Sequence, residues 1–395
     1  MPPKNKICLI HDMFLYRGGA ERFNIMFAKA LGADLSALFF SADGLEPESM
    51  GFTGKLLAFG EDKYSGGFRQ LYLKYRVLFH TKFLQEYDTV IFSNDSLSAI
   101  RNARKDARKI YYAHSIPRYL FDQREFYYRK VPLLLRPAYI IIRAVFERMY
   151  RRELEQVDEI YTNSVNLQNA IRKYLGRESR ILHPPVDMQV FVPIPERKGI
   201  DSSSSRMRGS NQLSSISSSL LVEGGVKNYY ISFSKLSSLK RVARTVEAFR
   251  EMPDRKLLVI YGENDPQKDE IMTLAKGYSN ISFLTLADNN KLPRYVAGAI
   301  ATVFIAKNED FGMVALESMA CGVPVIGVDE GGIRETIIDG KTGILISPEA
   351  TKEELIQAVR KLDRKTALSM KDDCIERAQK FSLESFEKIV REKFF

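Results

Sequence analysis

The feature that most constrains the fold of this chain is a pair of apolar runs that flank a polar loop and a helical segment. AIATVFIA (299–306) is an unbroken apolar run rich in β-branched residues, which predicts a strand covered on both faces. VPVIGV (323–328) is a second run of the same kind, and GMVALESMA (312–320) between them predicts a helix. A buried strand, a helix and another buried strand indicate a parallel sheet. In such sheets ligands bind outside the carboxyl ends of the strands.

Two carboxylates border the start of that helix. Glu309 lies in the loop that follows the first strand, and Glu317 lies on the helix eight residues later. We expect Asp310 to cap the helix and Gly322 to end it. The first N–H groups of a helix lack intrahelical partners and favour an anion. The donors expected here are the N–H groups of Phe311, Gly312, Met313 and Val314. An ordinary surface helix with an exposed Glu near each end is the alternative that the spacing alone leaves open.

The longer stretch EDFGMVALESMACGVPVIGVDEGGIRETIIDGKTGIL (309–345) resembles the donor-site signature of retaining GT-B glycosyltransferases, a large family that uses nucleotide sugars. In that family the first Glu of an E-x7-E pair contacts the transferred sugar and the second contacts the ribose. The resemblance assigns these roles to Glu309 and Glu317. It also implies an α/β fold of two Rossmann-like, doubly wound domains that face a cleft, with the last helix crossing back onto the first domain.

The rest of the chain fits two such domains. A length of 395 residues is enough for two domains of ordinary size. Apolar runs alternate with helical patterns, as in doubly wound sheets. The expected strands lie in 6–14, 35–40, 89–93, 109–114, 159–164 and 179–183, and then in 229–234, 256–264, 281–289, 299–306, 323–328 and 343–347. The expected organisation is a first, acceptor domain at 1–195, a Ser-rich linker or insertion at 196–228, a nucleotide-sugar domain at 229–380, and a C-terminal helix at 381–395 that packs back on the first domain.

Two features of the N-terminal half are candidates for substrate contacts. Gly18 and Gly19 stand between the first strand and a predicted helix, where glycines let a ligand approach the backbone, although most such pairs are only turns. His114 ends a predicted strand, and a purely structural histidine is its alternative. YYAHSIPRYLFD (111–122) resembles the acceptor-side segment of bacterial and archaeal mannosyltransferases of the same family. The resemblance implies that His114 contacts the transferred sugar and that the glycine pair lies against the donor pyrophosphate.

Lys235 and Lys240 follow the first strand of the second domain. Two cations at the carboxyl end of a strand suit a diphosphate, although lysines in loops are usually only solvated. The family has Arg and then Lys at this spacing, so Lys235 keeps the charge and loses the bidentate fork. Leu286 and Asp288 fall where the resemblance places the nucleobase.

These features predict an enzyme that transfers a hexose from a nucleotide sugar to a glycan or a lipid-linked sugar. The lysines, the helix N-terminus and the glycine amides would stabilise the departing diphosphate without a metal, and no other cofactor is expected. GDP-mannose is the favoured donor, because 111–122 and LGRESRILHPPVD (175–187) resemble mannosyltransferases. A UDP-hexose is the alternative. A protein that binds the nucleotide sugar without transferring it is a further alternative, disfavoured by the presence of His114, Glu309 and Lys240 together.

Charge indicates where the enzyme works. The chain has a net charge of +10, and 101–152 alone carries fourteen Lys or Arg against four Asp or Glu. Within it, 124–152 mixes arginines with apolar blocks that are too short to span a bilayer, and such a segment suits the membrane interface. We expect a cytoplasmic enzyme, peripheral on the cytosolic face of an anionic membrane. The alternative is an apolar core with solvated arginines. The positive charge is too local for nucleic-acid binding, which is not expected. Three scattered cysteines indicate neither disulfides nor a zinc site.

Overall fold

The computed structural model describes residues 5–15, 18–41, 44–193, 228–286 and 291–395. The chain forms two compact units, Met1–Pro184 with Phe386–Phe395 and Pro185–Ser385. The first unit therefore ends before the boundary expected at 195. The Ser-rich segment expected at 196–228 lies outside the described residues except for Asn228.

The first unit is built on a parallel sheet. Its strands are β1 (Ile7–Ile10), β2 (Asp34–Ala37), β3 (Leu56–Ala58), β4 (Thr89–Ser93), β5 (Arg108–Ala113), β6 (Glu159–Thr162) and β7 (Arg180–Ile181). Among the described residues their order is β3-β2-β1-β4-β5-β6-β7, with every neighbouring pair parallel. The chain runs outward from β1 to β3 and then returns to β4 beside β1. The strand order therefore reverses between β1 and β4, and such a switch point is where open α/β sheets bind ligands.

Helices cover this sheet. They are α1 (Gly19–Leu31), α2 (Gly66–Phe79), α3 (Arg124–Lys130), α4 (Arg136–Glu155) and α5 (Val165–Leu175), with 3₁₀ segments at Pro47–Met50, Lys82–Glu86, Asn94–Asn102 and Leu133–Leu135. The central strands are buried along their whole length, as their unbroken apolar sequences predict. β3 was not predicted from sequence because it has only three residues and is partly exposed.

The second unit repeats the design. Its strands are β8 (Tyr230–Ser232), β9 (Leu257–Ile260), β10 (Ile281–Leu284), β11 (Thr302–Phe304), β12 (Val325–Val328) and β13 (Gly343–Ile346), in the order β10-β9-β8-β11-β12-β13. Its helices are α6 (Val242–Arg250), α7 (Lys268–Leu274), α8 (Leu292–Ala297), α9 (Met313–Ala320), α10 (Ile333–Thr336), α11 (Lys352–Lys361), α12 (Arg364–Ser369) and α13 (Lys371–Gln379). The switch point of this sheet lies between β8 and β11. The predicted fold class, two doubly wound α/β domains, is confirmed.

The last helix, α14 (Leu383–Phe394), packs on the first unit. The ring of Phe386 meets that of Phe23 edge-on at 5.6 Å, and the ring of Phe394 lies 5.3 Å from that of Phe27 and 5.0 Å from that of Tyr161. Aromatic contacts of this kind stabilise beyond their buried area. They attach the C-terminus to α1 and β6.

Candidate functional site

Two residues predicted from sequence meet at the switch point of the second unit. Lys240 lies in the loop after β8, and Glu309 lies in the loop after β11. The Nζ atom of Lys240 donates to Oε2 of Glu309 at 2.6 Å, and the two side chains are only 25% and 23% exposed. Residues 69 positions apart in the chain therefore form one ion pair, because β8 and β11 are neighbours in the sheet. The ammonium also lies 5.2 Å from the centre of the Phe304 ring.

The backbone around Glu309 rests on two glycines. The N–H of Gly332 donates to the carbonyl of Glu309 at 2.7 Å. A Cβ on Gly331 would lie 2.5 Å from that same carbonyl oxygen, and a Cβ on Gly332 would overlap the backbone of Asp310 and Phe311. Gly331 also has a positive φ of 63°. The loop that carries Glu309 is therefore held by a close backbone contact that no side chain at 331 or 332 permits.

A second ion pair fixes the same two loops. Nη2 of Arg241 lies 3.6 Å from Oε1 of Glu330, and that carboxylate oxygen accepts the N–H of Asn308 at 2.9 Å. Arg241 takes a left-handed φ of 54° directly before α6. The sequence analysis did not identify Arg241 and Glu330. The available signal was position alone: Arg241 directly follows the predicted Lys240, and Glu330 directly precedes Gly331 and Gly332.

The start of α9 differs from the prediction. The N-cap position is Gly312, with φ 95° and no capping side chain, and the helix begins at Met313. Asp310 as N-cap is therefore wrong: Gly312 occupies that position, with a left-handed φ that glycine adopts at little cost. Ala315 makes the first bond within the helix, to the carbonyl of Gly312 at 3.0 Å. The N–H groups of Met313 and Val314 precede it.

The other predicted residues of this unit have mixed environments. Phe311 and Gly312 are buried, and the Phe311 ring packs 5.7 Å from that of Phe381. Glu317 is 7% exposed, so its carboxylate is largely shielded. Lys235 is exposed. Leu286 is half-buried against the core, Asp288 lies outside the described residues, and Gly322 follows the end of α9 with a φ of 73°.

In the first unit, His114 belongs to a polar cluster at the β1–β4 switch point. His114 follows β5, and Nδ2 of Asn24 lies 3.3 Å from its Nε2. The same Asn24 amide donates to Oγ of Ser93 at 3.1 Å, and Ser93 Oγ lies 3.0 Å from Nδ1 of His11. The amide of Asn163 donates to the His114 carbonyl at 2.9 Å. Asn24, Ser93 and His11 were missed from sequence because they come from α1, β4 and the end of β1.

Burial keeps this cluster uncharged. It lowers the pKa of His11 to about 3, and burial together with the neighbouring His11 lowers the pKa of His114 well below its ordinary value. Burial and then Asp95 raise the pKa of Asp12 well above its ordinary value, with Lys74 opposing them. Both imidazoles are therefore neutral at pH 7. Among the described residues, no group of three or more His, Cys, Asp or Glu side chains is placed to hold a metal ion.

The glycine pair lies at the start of the same helix that carries Asn24. Gly18 is the N-cap of α1 in an extended conformation, and Gly19 is its first residue. Glu21 occupies the first turn, where a carboxylate is favoured by the helix dipole. One helix thus connects the predicted glycine pair to the His114 cluster.

The segment 124–152 lies largely at the surface. Leu134 is 94% exposed and Ile141 is 65% exposed, and in α4 only Tyr150, Glu153 and Leu154 are buried. The alternative that these apolar residues form ordinary core is therefore wrong. α2 adds a second exposed stripe, not predicted from sequence. The exposed apolar residues of the two regions are Phe126, Tyr127, Leu133, Leu134, Leu135, Ile140, Ile141, Ile142 and Val145, and Phe68, Leu71, Tyr75 and Phe79.

None of the helices in the described part of the chain combines the length and apolar character needed to cross a membrane.

Comparison with known proteins gives a family match within the second unit. Residues 221–381 match the family described as glycosyl transferases group 1. N-acetyl-alpha-D-glucosaminyl L-malate synthase of Bacillus anthracis is 35% identical over 138 residues, which are 33% of this chain and 35% of that protein. Alpha-1,3/1,6-mannosyltransferase ALG2 of Dictyostelium discoideum is 24% identical over 305 residues, which are 70% of this chain and 67% of that protein. The chain spans 14–43% of the length of several curated relatives that it matches.

The similarity in structure extends further along the chain than the similarity in sequence. The crystal structure of Anabaena HepE in complex with UDP and glucose has a TM-score of 0.71 and 19% identity, and the alignment covers 98% of this chain and 99% of that one. At this identity the likeness establishes the fold. The chain therefore has the GT-B fold, and its residues 221–381 match the glycosyl transferases of group 1.

Proposed function

We propose that this protein is a glycosyltransferase that transfers a hexose from a nucleotide sugar held by its second unit. The observation that carries the proposal is the Lys240–Glu309 ion pair at the β8–β11 switch point, in the loop that leads into α9. The family match over residues 221–381 supports it, because that segment contains all of these groups.

The chemistry of the pair fits transfer from a diphosphate. An ammonium has three N–H donors, so Lys240 can hold Glu309 and a phosphate oxygen together. The sugar attached to that phosphate would then lie beside the Glu309 carboxylate. In this proposal Glu309 orients the sugar hydroxyls and favours the positive charge that develops on the sugar. Lys240, Lys235 and the N–H groups of Met313 and Val314 stabilise the departing diphosphate, with no metal required.

The remaining roles follow the family resemblance. Glu317 contacts the ribose, His114 contacts the transferred sugar, and Gly18 and Gly19 lie against the pyrophosphate. The anomeric configuration is retained. The acceptor is a glycan or a lipid-linked sugar.

We propose GDP-mannose as the donor, with a UDP-hexose as the alternative. The mannosyltransferase-like segments 111–122 and 175–187 favour mannose, and one relative is named as a mannosyltransferase. The crystal structure of HepE, which contains UDP and glucose, favours the alternative.

A panel of nucleotide sugars tests both the activity and the donor. A ligand at 100 times its dissociation constant adds about 2.7 kcal/mol to the free energy of unfolding, so the correct donor raises the melting temperature. GDP-mannose should stabilise more than UDP-glucose, and nucleoside diphosphate should be released from it as the hexose passes to a supplied glycan or lipid-linked acceptor or, more slowly, to water. Stabilisation without any release would identify a non-catalytic binding protein. Stabilisation by neither would refute the proposal.

We also propose that the first unit docks on an anionic membrane and obtains a lipid-linked acceptor there. The exposed apolar residues of 133–145 lie next to α3, which carries the exposed Arg124, Arg129 and Lys130. Apolar side chains that enter the interface beside basic residues suit an anionic lipid surface, and each basic residue contributes about 1 kcal/mol.

Sedimentation with liposomes tests the docking. Binding should require anionic lipid and fall as salt is raised. It should weaken when Arg124, Arg129 and Lys130 are changed to Glu, and separately when Leu133, Leu134 and Leu135 are changed to Ser. A matched control changes the exposed Lys361, Arg364 and Lys365 of the second unit to Glu, which should leave binding nearly intact. A protein that stays in the supernatant with anionic vesicles at low salt has no such docking surface.

A further inference from the structure

The ring of His114 is held by a hydrogen-bonded chain that has a definite direction. The chain runs from His11 through Ser93 and Asn24 to His114. We infer that Asn24 is a positioning residue, which fixes His114 as the tautomer that has its proton on Nδ1 and so makes His114 a hydrogen-bond donor toward the sugar. The assignment of the tautomer stands on geometry alone. Only the role toward the sugar rests on the proposed function.

Ser93 sets the direction of the chain. Its Oγ accepts the amide of Asn24 at 3.1 Å, and its side chain is fully buried. A hydroxyl has two acceptor lone pairs and one donor hydrogen. The buried hydroxyl hydrogen needs an acceptor, and among the described residues Nδ1 of His11, at 3.0 Å, is the one within hydrogen-bond distance. His11 must then accept at Nδ1 and carry its proton on Nε2.

The orientation of the Asn24 amide fixes the tautomer of His114 in the same way. Its side chain is 0% exposed, and its Nδ2, which carries two hydrogens, lies 3.1 Å from Ser93 Oγ and 3.3 Å from His114 Nε2. A donor at 3.3 Å requires a lone pair on Nε2, so the His114 proton is on Nδ1. Turning the amide over would bring Oδ1 between Ser93 and His114 and strand two buried N–H donors. In the orientation present, the Asn24 side chain leaves one acceptor, Oδ1, without a partner among the described residues, and no donor.

Packing holds the ring in this orientation. Phe23 meets the His114 ring edge-on at 5.2 Å and Tyr112 does so at 4.8 Å, while Asn163 holds the His114 carbonyl. Among the described residues, Nδ1 of His114 has no hydrogen-bond partner, whereas Nε2 is committed to Asn24. A neutral ring with its accepting nitrogen occupied cannot serve as a general base. It can donate from Nδ1 to a sugar hydroxyl.

Nitrogen NMR on protein labelled at the histidine rings tests the tautomers directly. The chain has only four histidines, so each can be assigned by substitution. We expect the proton on Nδ1 in His114 and on Nε2 in His11. His183 is an internal reference, because its Nδ1 lies 2.9 Å from the Asn163 carbonyl, which can only accept. A wild-type His114 with its proton on Nε2 overturns the inference, whatever the enzyme does.

Two variants extend the test to function. Asn24→Asp replaces the donating NH₂ by an accepting oxygen of the same shape, so His114 should lose its lone pair at Nε2 while His183 is unchanged. Transfer should then fall at least tenfold in kcat with little change in KM for the donor. Ser93→Ala should change the His11 signal and leave the His114 tautomer as it was, because Asn24 still donates.

If Asn24→Asp does not fold, Ser93→Ala and the wild-type spectrum still decide the tautomer. If the wild type transfers no sugar, the proposed function fails and the tautomer assignment stands. If Asn24→Asp switches the tautomer and keeps full kcat, Asn24 has no positioning role.

Discussion

The two switch points of this protein hold their central side chains by opposite means. In the second unit, Glu309 is held by a charge, the ammonium of Lys240, and both groups are partly accessible to solvent. In the first unit, His114 is held by neutral hydrogen bonds from a fully buried Asn24. Both arrangements lie where parallel strands diverge. The sheet therefore fixes where a site can form, while the residues supplied at that place decide its electrostatic character.

The difference suits two separate tasks. A charged and accessible pair can exchange partners when an anionic ligand arrives, because water screens the intermediate states. A buried neutral cluster cannot exchange partners cheaply, since an unsatisfied polar group there costs about 1–3 kcal/mol. The first arrangement fits the binding of a diphosphate, and the second fits the fixed presentation of one donor group. Four substitutions test this contrast.

The largest effect is expected from Glu309→Gln. If the carboxylate stabilises the charge that develops on the sugar, its removal should lower kcat by about 10²–10³-fold. Nucleotide binding should change little, because the proposed phosphate contacts are elsewhere. The rate of nucleoside diphosphate release from the preferred donor measures the first, and calorimetric titration with the diphosphate measures the second. Wild-type turnover by the purified variant would remove Glu309 from the chemistry.

Lys240→Ala should act on binding. Loss of the ammonium should weaken binding of the nucleoside diphosphate by about tenfold or more. Binding of the nucleoside should be nearly unaffected, because only the diphosphate carries the negative charge that the ammonium attracts. The variant also leaves Glu309 without its partner. The double variant with Glu309→Gln separates the two effects: the loss of diphosphate affinity should persist in it. Equal weakening of nucleoside and diphosphate would place the lysine away from the phosphates.

Gly332→Ala tests whether the loop of Glu309 needs its close backbone contact. The added Cβ would overlap the backbone of Asp310 and Phe311, so the loop must move at a cost of about 1–3 kcal/mol. Urea unfolding measures the cost, and transfer should fall with it. Gly262→Ala is the matched control, since the nearest atoms to its Cβ would be those of the Asp265 carboxyl group, at 3.4 Å or more. Equal stability of the two variants would mean that the 308–311 loop adjusts freely.

How much of each site the sequence predicted follows from where its residues lie in the chain. Glu309, Gly312 and the start of α9 come from one stretch, so their arrangement follows from the local strand–loop–helix pattern. The error at Asp310 arose within that stretch, because sequence does not show that Gly312 takes a positive φ. Lys240 was predicted, but its pairing with Glu309 depends on β8 lying beside β11. His11, Asn24 and Ser93 come from three separate elements, and no local pattern joins them.

The smallest effect concerns His11, and it appears as a slope of stability against pH. The pKa of His11 is about 3 in the folded protein and about 6.5 when unfolded, so below pH 6.5 the unfolded chain binds a proton that the folded one does not. Stability from this residue is therefore lost as pH falls, by about 1.4 kcal/mol per pH unit. His114 acts in the same direction. Asp12 acts in the opposite direction. Its pKa is raised in the folded protein, so the folded state keeps a proton that the unfolded chain releases once the pH exceeds the ordinary pKa of Asp.

His11→Gln isolates the contribution of His11 from these opposing groups. The free energy of unfolding should be measured by urea titration between pH 4.5 and 6.5 for wild type and variant. Whatever the variant costs at pH 7, its curve should be less steep, by a difference that grows to about 1.4 kcal/mol per pH unit toward pH 4.5, because one proton-linked group has been removed. Parallel curves for His11→Gln and wild type would show that His11 titrates normally in the folded protein. The polar cluster at the β1–β4 switch point would then not be the buried, neutral environment that distinguishes it from the charged pair of the second unit.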